Sequence, residues 1–164
     1  MAAPSALAEY RPSDQQLRYL GAALAYVVAA IHLFHPRRGF PRLVQFASSG
    51  NIDLIALDPR PLLFVLSGVA ILVAVKLVLV GYPRRPVYAA GMALMATYVV
   101  GYFAWHLSGH GGFLPGRRPL YHGVGPVEAV VSHLRSYPLA RVSKVAEIAL
   151  FVVLGVLYRG EGSQ

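Results

Sequence analysis

Residues 62–80 read LLFVLSGVAILVAVKLVLV, a stretch in which Lys76 carries the only charge. A helix needs about 20 mostly apolar residues to cross the ~30 Å hydrocarbon core of a bilayer. This stretch therefore predicts a membrane-spanning helix, which we extend to residues 59–81 because prolines precede it and a glycine follows it. Lys76 lies near the end of the span, where its ammonium group can reach the interface.

Three other stretches have the same length and character. With the first they define four predicted spans, at about 14–35, 59–81, 86–109 and 139–158. Prolines, glycines and arginines separate them, as expected where membrane helices begin and end. The sequence therefore predicts an all-α fold, an integral membrane four-helix bundle. We expect residues 1–164 to form a single multi-pass domain.

The composition supports a membrane location. Hydrophobic residues make up 56% of the chain, charged residues 13%, and the mean hydropathy is +0.53. Soluble domains carry about 25% charged residues. The net charge of +8 comes mainly from arginines at the ends of apolar segments, a pattern typical of contacts with lipid headgroups rather than nucleic acid. With no cysteine, the chain forms no disulfide, thiolate ligand or iron–sulfur cluster.

The two longer loops have structure of their own. Residues 40–46 and 127–134 are predicted to form short interfacial helices. Alanine and glycine recur along spans one and three, and small residues let membrane helices approach closely. We therefore expect these two spans to pack against each other or against a shared neighbour.

Histidine is the most informative residue type in this chain. The predicted topology places all six histidines on the same side of the membrane, in three groups: His32 with His35, His106 with His110, and His122 with His133. Imidazole is the commonest metal ligand among side chains and the usual axial ligand of haem. Each histidine near a helix C-terminus also has a purely structural interpretation, since positive charge is favourable there.

Two kinds of cofactor fit this pattern. His32 and His106 are expected at similar depth near the ends of spans one and three, where they could be the two axial ligands of haem b. Alternatively, a transition-metal ion (copper, iron or zinc) could be held by a larger set of side chains: His32, His35, His106, His110 and Glu147. His122 and His133 are expected to lie in a loop over the mouth of the bundle.

Glu147 is unusual because it lies about eight residues inside span four. An ionisable group in a span costs ~2.5–3.5 kcal/mol on insertion scales and is a functional hypothesis by default. It could be a metal ligand, a hydrogen-bond partner of a ligand, or a proton carrier. A structural alternative is an ion pair with Lys144, three residues earlier.

The leading functional hypothesis is a small membrane protein with a haem- or metal-binding site at one face, in redox chemistry or metal handling. A haem would imply electron transfer. The second hypothesis is a non-catalytic subunit or assembly factor of a larger membrane complex, with other subunits or a homo-oligomer as partner. The third is proton or cation transport by an oligomer, through Glu147 and nearby histidines. Membrane di-iron desaturases do not fit, because the chain has no adjacent histidine pair.

Overall fold

The chain folds into helices joined by short turns. The structure is a computed structural model, and it describes residues 12–50, 53–114, 116, 118–121 and 123–161. Across those residues it contains seven helices and no strand: α1 (Asp14–Phe34), α2 (Phe40–Ser48), α3 (Asp53–Leu57), α4 (Arg60–Leu79), α5 (Arg84–Leu107), α6 (Pro126–Ser136) and α7 (Pro138–Gly160). The prediction of an all-α fold is confirmed.

The four long helices begin and end close to the predicted positions. Helix α1 starts with a capping box, in which the Ser13 hydroxyl accepts from the Gln16 backbone and the Gln16 side chain accepts from the Ser13 backbone. Helix α5 ends at Leu107, two residues before the predicted boundary, because the glycine-rich segment after it turns away.

Both predicted interfacial segments are helical. The first lies within α2 and the second within α6, and each of these helices carries a proline in its first turn. The additional short helix α3 was not predicted. It immediately precedes Asp58, whose carboxylate accepts hydrogen bonds from the Arg60 guanidinium at 2.6 and 2.7 Å.

Helix α7 is the shared neighbour expected for spans one and three, since it packs against both α1 and α5. Two glycines make this packing close. A Cβ atom at Gly21 of α1 would lie 3.3 Å from the Val153 side chain, and one at Gly91 of α5 would lie 2.7 Å from the Leu154 side chain. Helix α4 packs mainly against α1.

The apolar core lies where the four long helices meet. Its central cluster takes buried residues from each of them: Ala25, Val28, Ala29, Ile71, Met95, Ala146 and Leu150. A second cluster joins α5 to the C-terminal half of α7. The core therefore holds four helices together, whatever surrounds them.

Three helices are long and apolar enough to cross a membrane: α1, α4 and α5. Helix α7 has 23 residues, but Lys144 and Glu147 interrupt its apolar sequence. Composition alone therefore supports membrane localisation through three spans. The structure shows a core of four helices, and three of these helices could span a membrane.

The chain reverses direction between successive long helices, so α1 and α5 end where α4 and α7 begin. We call this the histidine end of the bundle. Ring contacts confirm the arrangement, since His32 near the end of α1 lies 4.7 Å, between ring centroids, from Phe64 in the first turns of α4. The opposite end carries the beginnings of α1 and α5.

Gly68 tests whether close packing of α1 on α4 stabilises the fold. A Cβ atom there would lie 2.7 Å from Leu33 Cγ and 3.3 Å from the Ala29 carbonyl oxygen. We expect Gly68→Val to destabilise the detergent-solubilised protein by about 1–3 kcal/mol through overpacking. The measurement is thermal unfolding followed by circular dichroism.

Gly101 is the matched control, because a Cβ atom there meets nothing within 4 Å. Gly101→Val makes the same change in a helix interior and should leave the unfolding midpoint almost unchanged. Equal losses in the two variants would show that Gly68 has no special packing role.

Candidate metal centre

Three histidines from two helices and a turn converge at the histidine end. His106 lies in the last turn of α5, His110 in the turn that follows, and His133 on α6. One ring nitrogen from each lies within 4.8 Å of the other two. His106 is fully buried, and the other two are half-buried. We call these residues the histidine triad.

Backbone carbonyl groups fix the tautomer of each ring in the triad. Nδ1 of His106 donates to the Tyr102 carbonyl oxygen at 2.8 Å, and Nδ1 of His133 donates to that of Ala129 at 3.0 Å. Nδ1 of His110 donates to the Leu120 carbonyl oxygen at 2.8 Å. A carbonyl oxygen only accepts, so the proton of each neutral ring is on Nδ1 and the lone pair is on Nε2.

The contact between His110 and His133 has the geometry of a metal site. Their Nε2 atoms are 3.3 Å apart. When both rings are neutral, the two Nε2 atoms face each other as acceptors, whereas a doubly protonated ring would donate an N–H to the other. Two nitrogens bound to one tetrahedral ion at ~2.0–2.1 Å would be about 3.3–3.4 Å apart. A cation between them would attract both lone pairs.

The turn that positions His110 has a strained backbone. Gly109, His110 and Gly111 have φ angles of 68°, 58° and 88°. This left-handed region suits glycine, but for another residue it costs roughly 1–2 kcal/mol. His110 is the only described non-glycine residue with a positive φ. Strain of this kind clusters at functional sites, where the surrounding structure maintains it.

The glycines in this turn also make room for their neighbours. A Cβ atom at Gly111 would lie 2.4 Å from the Trp105 ring, and one at Gly109 would lie 2.7 Å from the Leu120 nitrogen. The Leu120 nitrogen donates to the Gly109 carbonyl oxygen at 2.9 Å. Together with the bond from His110 to Leu120, this contact holds residues 118–121 against the turn.

Helix α6 places His133 in the triad. Ala129 and Val130 are buried on the side of α6 that packs against α5 and α7, and His133 is one turn beyond Ala129. The His133 ring lies 4.6 Å from the His106 ring and 4.9 Å from the His110 ring, measured between centroids. The packing of this α6 face therefore places His133 next to α5.

A second polar cluster lies deeper in the bundle, around Glu147. This fully buried carboxylate accepts a hydrogen bond from the Ser143 hydroxyl at 2.6 Å and forms an ion pair with Lys144. Nε2 of His32 lies 3.9 Å from its Oε1 atom, and Nδ1 of His32 donates to the Val28 carbonyl oxygen at 2.9 Å. Glu147 thus has its hydrogen-bond partners on its own helix and lies beside His32 of α1.

His35 belongs to neither cluster. It follows the last residue of α1, and its Nδ1 atom accepts a hydrogen bond from the Arg37 backbone at 3.1 Å. Burial, together with the charge of Arg38, lowers the pKa of His35 to about 4, so the ring is neutral at pH 7.

Two tyrosines on α5 lie between the two clusters. Tyr98 stacks on His32 with ring centroids 4.2 Å apart, and Tyr102 lies 4.2 Å from the His106 ring. Lys144 Nζ donates to the Tyr98 carbonyl oxygen at 3.3 Å and lies 5.2 Å from the Tyr102 ring centroid. The clusters are therefore linked through adjacent turns of one helix.

Four of the five residues that the sequence placed in one site line a single cavity: His32, His35, His106 and Glu147. Their closer contacts form two clusters. The structure brings His106 and His110 together with His133, and His32 together with Glu147. The expected equal depth of His32 and His106 is wrong, because His32 is level with Tyr98. Tyr98 precedes His106 by eight positions on α5, which corresponds to about 12 Å along the helix at a rise of ~1.5 Å per residue.

His133 is the member of the triad that sequence reasoning did not place in the candidate site. It was expected only to cover the mouth of the bundle, and the structure instead places it in the triad. His133 lies on the same face of α6 as Ala129 and Val130, which are buried. This apolar face was the feature of the sequence that indicated an inward-facing histidine. His122, the other predicted covering residue, lies outside the described residues.

A small cavity lies between the two clusters. Its volume is about 200 Å³, and its walls include His32, His106, Glu147, Tyr98 and Tyr102. Sites for drug-sized ligands have volumes of ≈ 300–1,000 Å³. The cavity as arranged suits small molecules or ions. The binding of a haem between His32 and His106 stays a prediction.

Comparison of the chain with protein-family models, curated proteins and solved structures finds no match. The chemistry of the side chains and their arrangement is therefore the basis for inferring function.

The buried ion pair on α7 gives a prediction about stability. Lys144→Met would leave Glu147 buried without its ammonium partner, a change that typically costs about 3–5 kcal/mol. We expect a corresponding loss of thermal stability in detergent, measured by circular dichroism.

The double variant Lys144→Met/Glu147→Leu is the control, because it removes both charges and keeps apolar volume. It should be markedly more stable than Lys144→Met alone. If the two variants lose stability equally, the packing of the lysine stem would account for the effect and the ion pair would not.

Proposed function

We propose that this protein binds a transition-metal ion through His106, His110 and His133, at one face of a helical membrane protein. In this proposal α7 is the fourth span, and its two interior charges neutralise each other within the bundle. The site lies where α5 ends, which places it near the membrane–water boundary. Metal ions could then enter from the aqueous side.

The observation that supports the proposal is the convergence of three imidazole rings, with one ring nitrogen of each within 4.8 Å of the other two. Each ring is held by a bond from Nδ1 to a backbone carbonyl, the usual outer-sphere arrangement of metal-binding histidines. The 3.3 Å separation of the His110 and His133 nitrogens matches two ligands of one ion. A set of helix-end histidines with purely structural roles would have no reason to share that geometry.

Three imidazole ligands suit copper, zinc or iron. Four-coordinate structural zinc sites are closed by four protein ligands, whereas three protein ligands leave a position for water or substrate. Because the described residues supply three ligands, we favour a site that exchanges its metal or uses it chemically over one that only stabilises the fold. Bound copper or iron would make the protein a redox protein, and bound zinc would indicate metal handling or hydrolytic chemistry.

Haem is the alternative within the same functional class. It would use His32 and His106, and the Glu147 carboxylate beside His32 would then be a partner of an axial ligand. Loss of a Soret band in His32→Ala would support it. The triad and the haem proposals share His106 alone, so variants at His32, His110 and His133 distinguish them.

The test is metal binding by the full-length protein purified in detergent and stripped with a chelator. We expect one Zn²⁺ or Cu²⁺ per chain, measured by elemental analysis after dialysis and by competition with a chromogenic chelator. His133→Ala should lower the affinity by more than about 100-fold, since loss of even an outer-sphere partner typically costs 10–100-fold. Acidification should release the metal, because protons compete for the same Nε2 lone pairs.

His35→Ala is the matched control, because His35 lies at the same end of the bundle outside the triad. It should bind metal like the wild-type protein. The unfolding midpoints of the metal-free variants will show whether each one folds. Well-folded wild-type protein that binds no metal, or equal losses in His35→Ala and His133→Ala, would contradict the proposal.

A further inference from the structure

A larger cavity lies at the opposite end of the bundle from the histidine triad. Its volume is about 850 Å³, and all four long helices contribute to its walls. This size falls in the range of ≈ 300–1,000 Å³ that is typical of ligand sites. The metal proposal makes no use of it.

The cavity walls have a polar end and an apolar end. Arg18 and Tyr88 lie near the starts of α1 and α5, whereas Ala25, Ile71 and Met95 lie near mid-helix. Ala25 follows Arg18 by seven positions, and Met95 follows Tyr88 by seven positions. At ~1.5 Å per residue the apolar part is about 10 Å deep. A ligand with a polar head and an apolar chain matches this division.

Two buried donors beside the cavity lack acceptors. Neither the Tyr88 hydroxyl nor Arg18 Nε has a hydrogen-bond partner within the part of the chain that the structure describes. Tyr88 is only 4% exposed. A buried donor without a partner costs about 1–3 kcal/mol. A ligand that brings acceptor oxygens would remove this cost at both positions.

Among the described residues, the charged side chains that line this end of the cavity are Arg18, Arg84 and Asp14. Arg84, which also lines the cavity, pairs with Glu161 at 3.4 Å. No carboxylate of the described residues forms a salt bridge with Arg18. Its guanidinium group is therefore the cation available to a carboxylate or phosphate, the anions that arginine binds best.

We propose that this cavity binds an anionic amphiphile, with its carboxylate or phosphate on Arg18 and Tyr88 and its acyl chain along α1, α4 and α5. A free fatty acid and an anionic phospholipid share this chemistry. The inference is independent of the metal site, which lies at the other end of the bundle.

The experiment measures saturable binding of tritiated palmitate to the purified full-length protein in a zwitterionic detergent. We expect one palmitate per chain. Hexadecanol, which has the same chain length and an uncharged head, should compete about tenfold less well, because a charge-assisted hydrogen bond contributes about 1.5–3 kcal/mol. Competition by phosphatidylglycerol would identify a membrane phospholipid as a ligand, and its failure to compete would identify the free acid.

Three variants test the assigned contacts. Arg18→Gln should weaken palmitate binding about tenfold, and Tyr88→Phe should weaken it severalfold. Arg85→Gln is the matched control, since Arg85 is at the same end but stacks on Tyr158 and does not line the cavity. It should bind palmitate like the wild-type protein.

A fourth variant tests the apolar part without changing charge. Ala74 lines the cavity, and Ala74→Phe should fill it and abolish saturable binding. The proposal would be overturned by the absence of saturable palmitate binding. It would also be overturned if hexadecanol or a short-chain quinone competed as well as unlabelled palmitate does. Equal losses of palmitate binding in Arg18→Gln and Arg85→Gln would contradict the assigned contacts. Metal binding should be the same in all these variants, so either proposal can fail alone.

Discussion

The buried ion pair of Lys144 and Glu147 constrains how the helices of this protein can assemble. A charge without a partner in a buried or membrane environment is costly, so both groups must find their partners inside the bundle. Glu147 accepts from Ser143 and Lys144 on its own helix, and it lies beside His32 of α1. Lys144 also donates to the Tyr98 carbonyl oxygen of α5. These polar contacts set the depth at which α1 and α5 pack against α7.

Three histidines share the same local hydrogen bond but lie in two different surroundings. Each donates Nδ1–H to the carbonyl four residues earlier on the same helix: His32 to Val28, His106 to Tyr102, and His133 to Ala129. The bond fixes the ring and the tautomer in every case, so it does not by itself distinguish a structural histidine from a ligand. What differs is the group that Nε2 meets. In His32 it meets a carboxylate, whereas in the triad it meets other imidazoles.

The fold was largely predictable because lipid-facing helices have a simple sequence pattern. The stretch at 62–80 and its three counterparts predicted the long helices to within a few residues, and the interfacial helices expected at 40–46 and 127–134 lie within α2 and α6. Small residues on spans one and three correctly predicted a shared neighbour. The depth of His32 relative to His106 was not predictable, because helix contacts decide it and residue counts along each span do not.

Sequence reasoning predicted two of the three residues of the triad. His106 and His110 were accessible to sequence reasoning because they are close in the chain. His133 was not, since its contact with His106 depends on where α6 folds back. The left-handed backbone at His110 was also not predicted from the sequence.

The histidine triad holds three acceptors together at a cost that the rest of the structure must offset. His110 occupies an unfavourable backbone region, and its Nε2 atom faces that of His133 at 3.3 Å. The bonds to Leu120 and Ala129, together with the packing of α6, keep these groups in place. Preorganisation of this kind reduces the ordering that a metal ion must drive when it binds. Under the metal-binding proposal, a cation held between the rings would offset this cost.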